Sequence, residues 1–594
     1  MSAIPFDRYR PRVRLPVRAA LRLGPLGDIW HKPALSAVAA VALVLLPLYL
    51  AGRLDLVLYA AAGSMCALYG HGLPYAARAR ALAWVTLGML SSVAVALVTA
   101  ALTDSIAIRV AVAALLAGLH KATCDATRIG PPGNVVLTFI AASAAFVPQR
   151  LADVPMHVGL GVLGGAVAWV VGMAPGLVRP DGPERIAVAR ALESAARLLR
   201  VRAYVRDDDR HQDPTPGLPQ EQHQHQDLPQ EQHQHQHQKQ HQHQGLHQDR
   251  HAAAAAANAA WQTLLRSGAA DRCQGLRRLL VRAESAAALA SADGPRVRAQ
   301  ERAADADRLA ALARELRKGR RLPEPFPADP ATVAAERAEL AGVAAEETDP
   351  APKPGRMTLR RLLVDVARRW RVVLMVSGGA AAAGWASMAL GVGRPYWAVV
   401  TAAAVFAANT TLSWSRALQR VVGNLLGVAL FTLLVPVTRL GALALIVTVL
   451  AMQFVTEAAV TRNYWLGSVF VTTMAILMTE FAGAQPVPVL VADRWLDTCV
   501  GAAAGLLACA LLPDKRAAQR VRDGLDRLEQ VVVESPPPAP ALRRAARSRL
   551  RAALVELREA VDLAAGEWWS AALPHERIAA AERAGHHRLA ELTA

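Results

Sequence analysis

Cysteine, aromatic residues and charge are all scarce for so long a chain. Its 594 residues include five cysteines, 5% aromatics and 19% charged residues. Cys66, Cys124, Cys273, Cys499 and Cys509 contain no pair at zinc-ligand spacing, and three of them sit in apolar runs. Neither a disulfide framework nor a metal site is expected from them. The nearest approach to a phosphate-binding loop, GPPGN at 130–134, lacks the Lys-Ser/Thr that holds the phosphates and Mg2+. HExxH and GxSxG are absent too, so no enzyme and no cofactor is expected. The net charge of +18 raises the question of nucleic acid. The basic residues, however, border apolar runs, and the middle of the chain mixes Arg with Asp and Glu among few aromatics. That is no aromatic-studded basic groove, and no nucleic-acid partner is expected.

What the chain has instead is apolar length. Apolar residues make up 53% of it, and the mean hydropathy is +0.22. Nearly all long apolar runs lie in 33–178 and 371–513, while charge gathers in the N-terminal arm, the middle and the tail. A spanning helix needs about 20 mostly apolar residues to cross about 30 Å of hydrocarbon. On that measure the first block places spans near 33–51, 54–70, 81–102, 105–119, 134–147 and 157–178. The second places them near 371–392, 396–409, 419–437, 440–460, 464–481 and 497–513. The expected fold is all-α and polytopic, with about twelve transmembrane helices in two six-helix blocks, or ten if short runs such as 134–147 and 396–409 are re-entrant or buried. Period-two alternation is missing, which excludes a membrane barrel.

Arg8, Arg10, Arg12, Arg14, Arg18, Arg22 and Lys32 precede the first span, which reads as a signal anchor rather than a cleaved leader. With that arm inside, the inner loops carry Arg78 and Arg80, Lys121 and Arg128, Arg416 and Arg420, and Arg462. The outer loops carry at most one basic residue each: Arg53, Arg150, Arg394, Arg439 and Arg494. The bias puts both termini and the middle segment in the cytoplasm of a cytoplasmic-membrane protein. The five regions are then a basic arm (1–32), a membrane block (33–178), a cytoplasmic helical domain (179–370), a second membrane block (371–513) and a cytoplasmic helical tail (514–594).

The blocks read as a direct repeat offset by about 336 residues. Arg80-Ala81-Leu82 falls on Arg416-Ala417-Leu418, Gly165 on Gly501, and Leu177 on Pro513. Six spans per block give the halves one orientation, the parallel repeat found in many transporters. The middle segment is rich in Ala, Leu, Arg and Glu, with helices expected at 184–206, 251–292, 295–318 and 329–348, and the tail repeats the pattern. Between them, 207–250 is a His/Gln tract containing two near-identical ten-residue units. It buries too little apolar surface to order itself, so disorder is predicted. Its imidazoles could ligate metal weakly; the alternative is a slippage insert in a tolerant loop.

Polar groups inside spans are the candidate transport residues. Arg109 lies in the fourth span and either faces a pathway or snorkels to the rim beside Asp104. Gln453 and Glu457 are one turn apart on the tenth span, and Glu480 closes the eleventh; these carboxylates could contact substrate or carry a proton. Arg416 and Arg420, four apart at the inner membrane edge, either anchor topology or form an electropositive mouth for anions. Tyr396 and Trp397 start a span as interface anchors. Gly423 and Gly427, four apart, form a helix-packing face.

The stretch from Pro395 to Gly427, with its PYW start, Thr401 and an R-x-x-G-x-x-x-G run from Arg420, resembles the fusaric acid resistance-like (FUSC) proteins, also called the aromatic acid exporter family. The layout of two membrane blocks, each followed by a cytoplasmic helical module, is also similar. The resemblance implies efflux of aromatic carboxylic acids or related small anions. A passive anion channel and a membrane-anchored scaffold for envelope maintenance are the competing readings. The lipid bilayer and a small anionic or aromatic substrate are the expected partners; a homo-oligomer is left open.

Overall fold

The computed structural model describes residues 15–211, 228–267, 273–291, 299–319, 322, 358–481, 487–511, 517–534, 540–568 and 573–592. Among the described residues every regular element is helical. In chain order these are α1 (Val17–Leu21), α2 (His31–Leu50), α3 (Val57–Ser64), α4 (Tyr75–Leu102), α5 (Ile106–Thr127), α6 (Asn134–Ala144), α7 (Val154–Met173), α8 (Pro175–Val178), α9 (Gly182–His211), α10 (Leu228–Ser267), α11 (Gln274–Ser291) and α12 (Ala299–Lys318). They continue with α13 (Leu359–Arg368), α14 (Trp370–Ala389), α15 (Tyr396–Val405), α16 (Thr410–Thr438), α17 (Ala442–Arg462), α18 (Tyr464–Glu480), α19 (Val487–Leu511), α20 (Ala517–Val533), α21 (Pro540–Ala565) and α22 (His575–Glu591). Short 3-10 turns flank α3 and precede α7.

The chain divides into two compact units. The first comprises Met1–Pro180, Pro354–Lys515 and Ala565–Ala571. Among its described residues, eight helical segments are long and apolar enough to cross a membrane. Their outward faces carry bare leucines, among them Leu50 (83% exposed), Leu433 (75%) and Leu507 (61%). Water would penalise such a belt and lipid does not, so this is a multi-pass membrane protein. Three further apolar segments, Leu54–Leu68, Asn134–Ala144 and Tyr396–Val405, are too short to cross. α15 is buried along all ten of its residues, and it packs on α6, α14 and α19. A short helix at membrane depth is tolerated when its free ends meet protein instead of hydrocarbon.

Two helix boundaries differ from the sequence reading in ways that matter. α16 begins at Thr410, not near 419, because the Asn409 side chain caps it by accepting from the Leu412 N–H at 2.9 Å. α19 begins at Val487, not 497, since the apolar run Val487–Val491 extends the helix outward. Arg494, taken as an outer-loop residue, is therefore inside a helix.

The second unit comprises Asp181–Lys353, Arg516–Ala564 and Ala572–Ala594. α9 to α12 share one core around Leu192, Leu198, Leu276, Leu279 and Leu312, and α20 to α22 a second around Val521, Leu525, Leu528, Leu550 and Leu557. The recurrence of three and four residues is that of amphipathic helices. The disorder predicted for 207–250 does not extend over its whole length. Residues 228–250 form the first part of α10, because glutamine is a good helix former and the helix is anchored by the packed Ala253, Ala257 and Trp261. Residues 212–227 and the helix expected at 329–348 lie outside the described residues. Within this unit, desolvation holds the buried Glu582 carboxyl above the ordinary range, although Arg558 at 3.7 Å opposes the shift. A raised folded-state pKa means stability present in acid and lost as pH climbs through that value. Glu582→Gln is expected to slow amide exchange in α21 and α22 at neutral pH and to leave it unchanged at about pH 4.

Candidate functional site

The polar interior of the membrane unit lies where α14, α15, α16, α18 and α19 converge. Gly501 and Gly505 bring α19 against α15: a Cβ on Gly501 would stand 2.6 Å from the Ala398 carbonyl oxygen. Gly423 and Gly427 do the same for α16 and α18, where a Cβ would stand 2.4 Å from Ser468 Cβ and 2.5 Å from the Val469 carbonyl oxygen, respectively. These approaches leave little width, and polar side chains fill it.

Arg494 on α19 is the centre of this interior. It is 2% exposed, with its Cζ 3.7 Å from the centroid of the Trp397 ring. Stacking on an indole face favours a guanidinium, but it occupies none of the N–H groups. Nε, Nη1 and Nη2 are all buried and none donates a hydrogen bond. Arg420 on α16, 3% exposed, lies within Coulombic range of Arg494. It donates through Nη1 to the Tyr464 hydroxyl at 3.4 Å, while its Nε is buried without an acceptor. One turn beyond Arg420, Asn424 accepts from the Thr472 hydroxyl and donates to the Thr498 hydroxyl at 2.5 Å. Asp497, fully buried one turn beyond Arg494, accepts from Ser387 through Oδ1, and its Oδ2 has no donor. Thr401 Oγ1 is likewise buried without a partner.

Arg420, Arg494 and Asp497 together carry one excess positive charge when all three are ionised. A buried charge short of hydrogen bonds is costly and is ordinarily paired. A membrane interior makes that costlier, and such residues mark binding sites and pathways. Unspent guanidinium donors with an excess positive charge suit a carboxylate or another small oxyanion.

The other sequence candidates divide. Arg416 stacks over Tyr464 at 4.4 Å from the ring centroid, which places it beside Arg420. Arg420, read as a residue of the membrane edge, is buried inside α16. Tyr396 and Trp397, read as interface anchors, are 8% and 3% exposed. Their rings pack on Phe146 and Phe139 of the α6 region, because α15 is an interior helix and not a spanning one. Gln453 donates to Glu457 at 3.2 Å on α17, away from the arginines, and Arg462 donates to the Gly24 carbonyl rather than to Glu457. Glu480 ends α18. Arg109 donates to the carbonyls of Thr103 and Ala100 and to Asp104, which closes the C-terminal end of α4. Reading missed Arg494 and Asp497. The signal was available: they are three apart on one helix face in RWLDT, ahead of an apolar run.

A second polar group lies among the helices before residue 180. His157 on α7 stacks on Tyr59 of α3 at 3.7 Å, and both rings bond Gln149. His120 of α5 bonds Ser92 of α4 and Thr138 of α6.

Residues 381–508 match the family described as fusaric acid resistance protein-like, and every residue of the arginine cluster lies within that segment. The chain is also similar to the uncharacterized membrane protein YvaC of Bacillus subtilis (strain 168), with 32% identity over 188 residues. That match covers 31% of this chain and 29% of the relative, so well under half of either protein is shared. No solved structure matches the chain.

Proposed function

We propose that this protein is a cytoplasmic-membrane transporter that exports small carboxylate anions, aromatic acids among them, and that the Arg420–Arg494 cluster binds the anion. The observation that carries the reading is Arg494, a buried guanidinium with all of its nitrogens lacking an acceptor. A substrate carboxylate supplies the missing acceptors and cancels the excess charge. Arg416, next to Arg420, would gather the anion from the inner side. The similarity of 381–508 to fusaric acid resistance-like proteins supports an export role.

The architecture in this reading is a parallel repeat of two six-segment halves, with the short helices α3 and α15 as matching interior segments. Ile106 and Ala442, which start α5 and α17, are 336 residues apart, as are Leu102 and Thr438, which end α4 and α16. The packing agrees with a pseudo-two-fold: α3 lies on α7 as α15 lies on α19, and α2 crosses to α17 as α14 crosses to α5. Cytoplasmic termini are part of the same reading. The arm before α2 lies on the turn between α17 and α18, where Asn463 donates to Ala20 and Arg22 and the Trp465 indole donates to Leu21. The arm and an Arg-bearing inner turn thus share one side, as positive-inside orientation requires.

Proton coupling is assigned to Glu457, a carboxylate at membrane depth held by Gln453 and separate from the anion site. Cells loaded with labelled aromatic acids, with and without a protonophore, test the proposal. Wild-type cells should lose label faster than deletion cells, and the protonophore should remove the difference. Glu457→Gln should retain binding but lose the protonophore-sensitive part. Equal loss from wild-type and deletion cells across the panel would sink the export reading. Loss that never runs against a gradient would favour a passive anion channel, and a phenotype indifferent to Arg494 and Glu457 would favour a scaffold.

A further inference from the structure

Two groups in the arginine cluster are short of partners although they sit on the same helix. Arg494 has three idle donor nitrogens, and Asp497, three residues on, has an idle acceptor in Oδ2. Residues three apart on a helix lie on one face, within reach of a long side chain. Yet the guanidinium lies over Trp397, and the carboxylate is held through its other oxygen by Ser387 of α14. Both groups are more than nine-tenths buried. A direct ion pair would satisfy each of them and is not formed.

We infer that Asp497 is the protein's own stand-in for the substrate carboxylate, an inference that rests on the proposed anion site: Arg494 serves either the bound anion or Asp497, and the exchange releases the cargo. The need for such a group follows from the charges. An anion bound by two desolvated guanidiniums gains strong hydrogen bonds, and its departure would leave two buried cations facing each other. A transporter must bind well enough to load and weakly enough to unload. A carboxylate within reach of Arg494, parked on Ser387 while substrate is present, lowers the free energy of the empty site and so speeds release. The groups that face Asp497 fit this role: Ser387 from α14, Tyr396 from α15, Arg494 and Asp493 from its own helix. Asp497 is on this account a positioning residue, since it acts on substrate only through Arg494.

The test uses the full-length protein in liposomes, with benzoate as the probe anion, and compares KM with maximal rate. Asp497→Asn should lower the KM and the maximal rate together, each by about tenfold, because binding tightens while release slows. Ser387→Ala frees the parked oxygen and should move the KM the other way, upward by several-fold. Asp497→Glu should restore part of the rate. A KM that rises in Asp497→Asn, or that stays unchanged in both variants while Arg494→Gln abolishes binding, overturns the role of Asp497 and leaves the anion site standing. Wild-type benzoate affinity in Arg494→Gln overturns the anion site itself, and this inference with it. Where Asp497→Asn does not insert, Ser387→Ala decides alone.

Discussion

Arg494→Gln is expected to weaken anion binding by about 10²- to 10³-fold while making the empty protein more stable. Both halves of that result follow from one observation. The guanidinium is buried on Trp397 with no acceptor for Nε, Nη1 or Nη2. Truncating one partner of a buried, hydrogen-bonded charge pair costs about 2–5 kcal/mol, and about 1.4 kcal/mol is a factor of ten in affinity. When no anion is bound, Asp497 is the carboxylate left within reach, and it cannot satisfy all three guanidinium nitrogens, so the charge stays costly and its removal relieves the protein. Such opposed effects are the signature of a group kept for function at a cost in stability. Isothermal titration of purified protein with benzoate reads the first half, and the thermal midpoint in detergent reads the second. A midpoint that falls while affinity is unchanged would mark Arg494 as a structural residue and remove the basis of the anion site. Arg420→Gln should show a weaker version of both effects, because its Nη1 already donates to Tyr464.

Much of this molecule was legible in the sequence, for identifiable reasons. Apolar length and basic flanks are strong, local signals, and eight of the twelve runs they mark are, among the described residues, helices long and apolar enough to cross a membrane. Gly423 and Gly427 were legible as a close-packing face because small residues four apart leave a groove whatever the partner. The partner itself was not legible: that α18 presents Ser468 and Val469 to the groove depends on how the bundle closes. Tyr396 and Trp397 misled because an aromatic pair at the start of an apolar run has the same appearance at a lipid interface as inside a bundle. Only the length of α15 separates the cases, and a ten-residue helix cannot reach across hydrocarbon. Arg494 was misread through its helix boundary. Placed in an outer loop, an arginine is a weak topology mark; moved two turns into α19, it is a buried cation that demands an explanation. A shift in one boundary changed a residue's physical environment entirely, which is why boundary errors weigh most on functional assignment.

Close helix packing beside the arginine cluster yields the largest expected effect on folding. Gly427→Leu should unfold the membrane unit or lower its thermal midpoint far more than any polar substitution at the site. A Cβ at Gly427 would stand 2.5 Å from the Val469 carbonyl oxygen and 2.8 Å from Thr472 Cβ, so α16 and α18 must move apart before any larger side chain fits. Overpacking of this kind costs about 1–3 kcal/mol by itself. Here it also reaches Asn424, one turn away, which takes its bond from Thr472 on the displaced helix. Losing that bond leaves a buried polar group unsatisfied, adding about 1–3 kcal/mol. Lipid offers no competing hydrophobic drive to hold the helices together, so close packing and interhelical hydrogen bonds are what secures this contact. Gly378→Leu is the matched control. Gly378 lies on α14 with nothing within 4 Å of a Cβ, and it should tolerate leucine with no change in midpoint. Size-exclusion profiles after a heating series compare the two directly. If Gly427→Leu and Gly378→Leu melt together with the wild type, the α16–α18 contact does not hold the site in shape, and the Asn424 link from Thr472 to Thr498 is not needed for it.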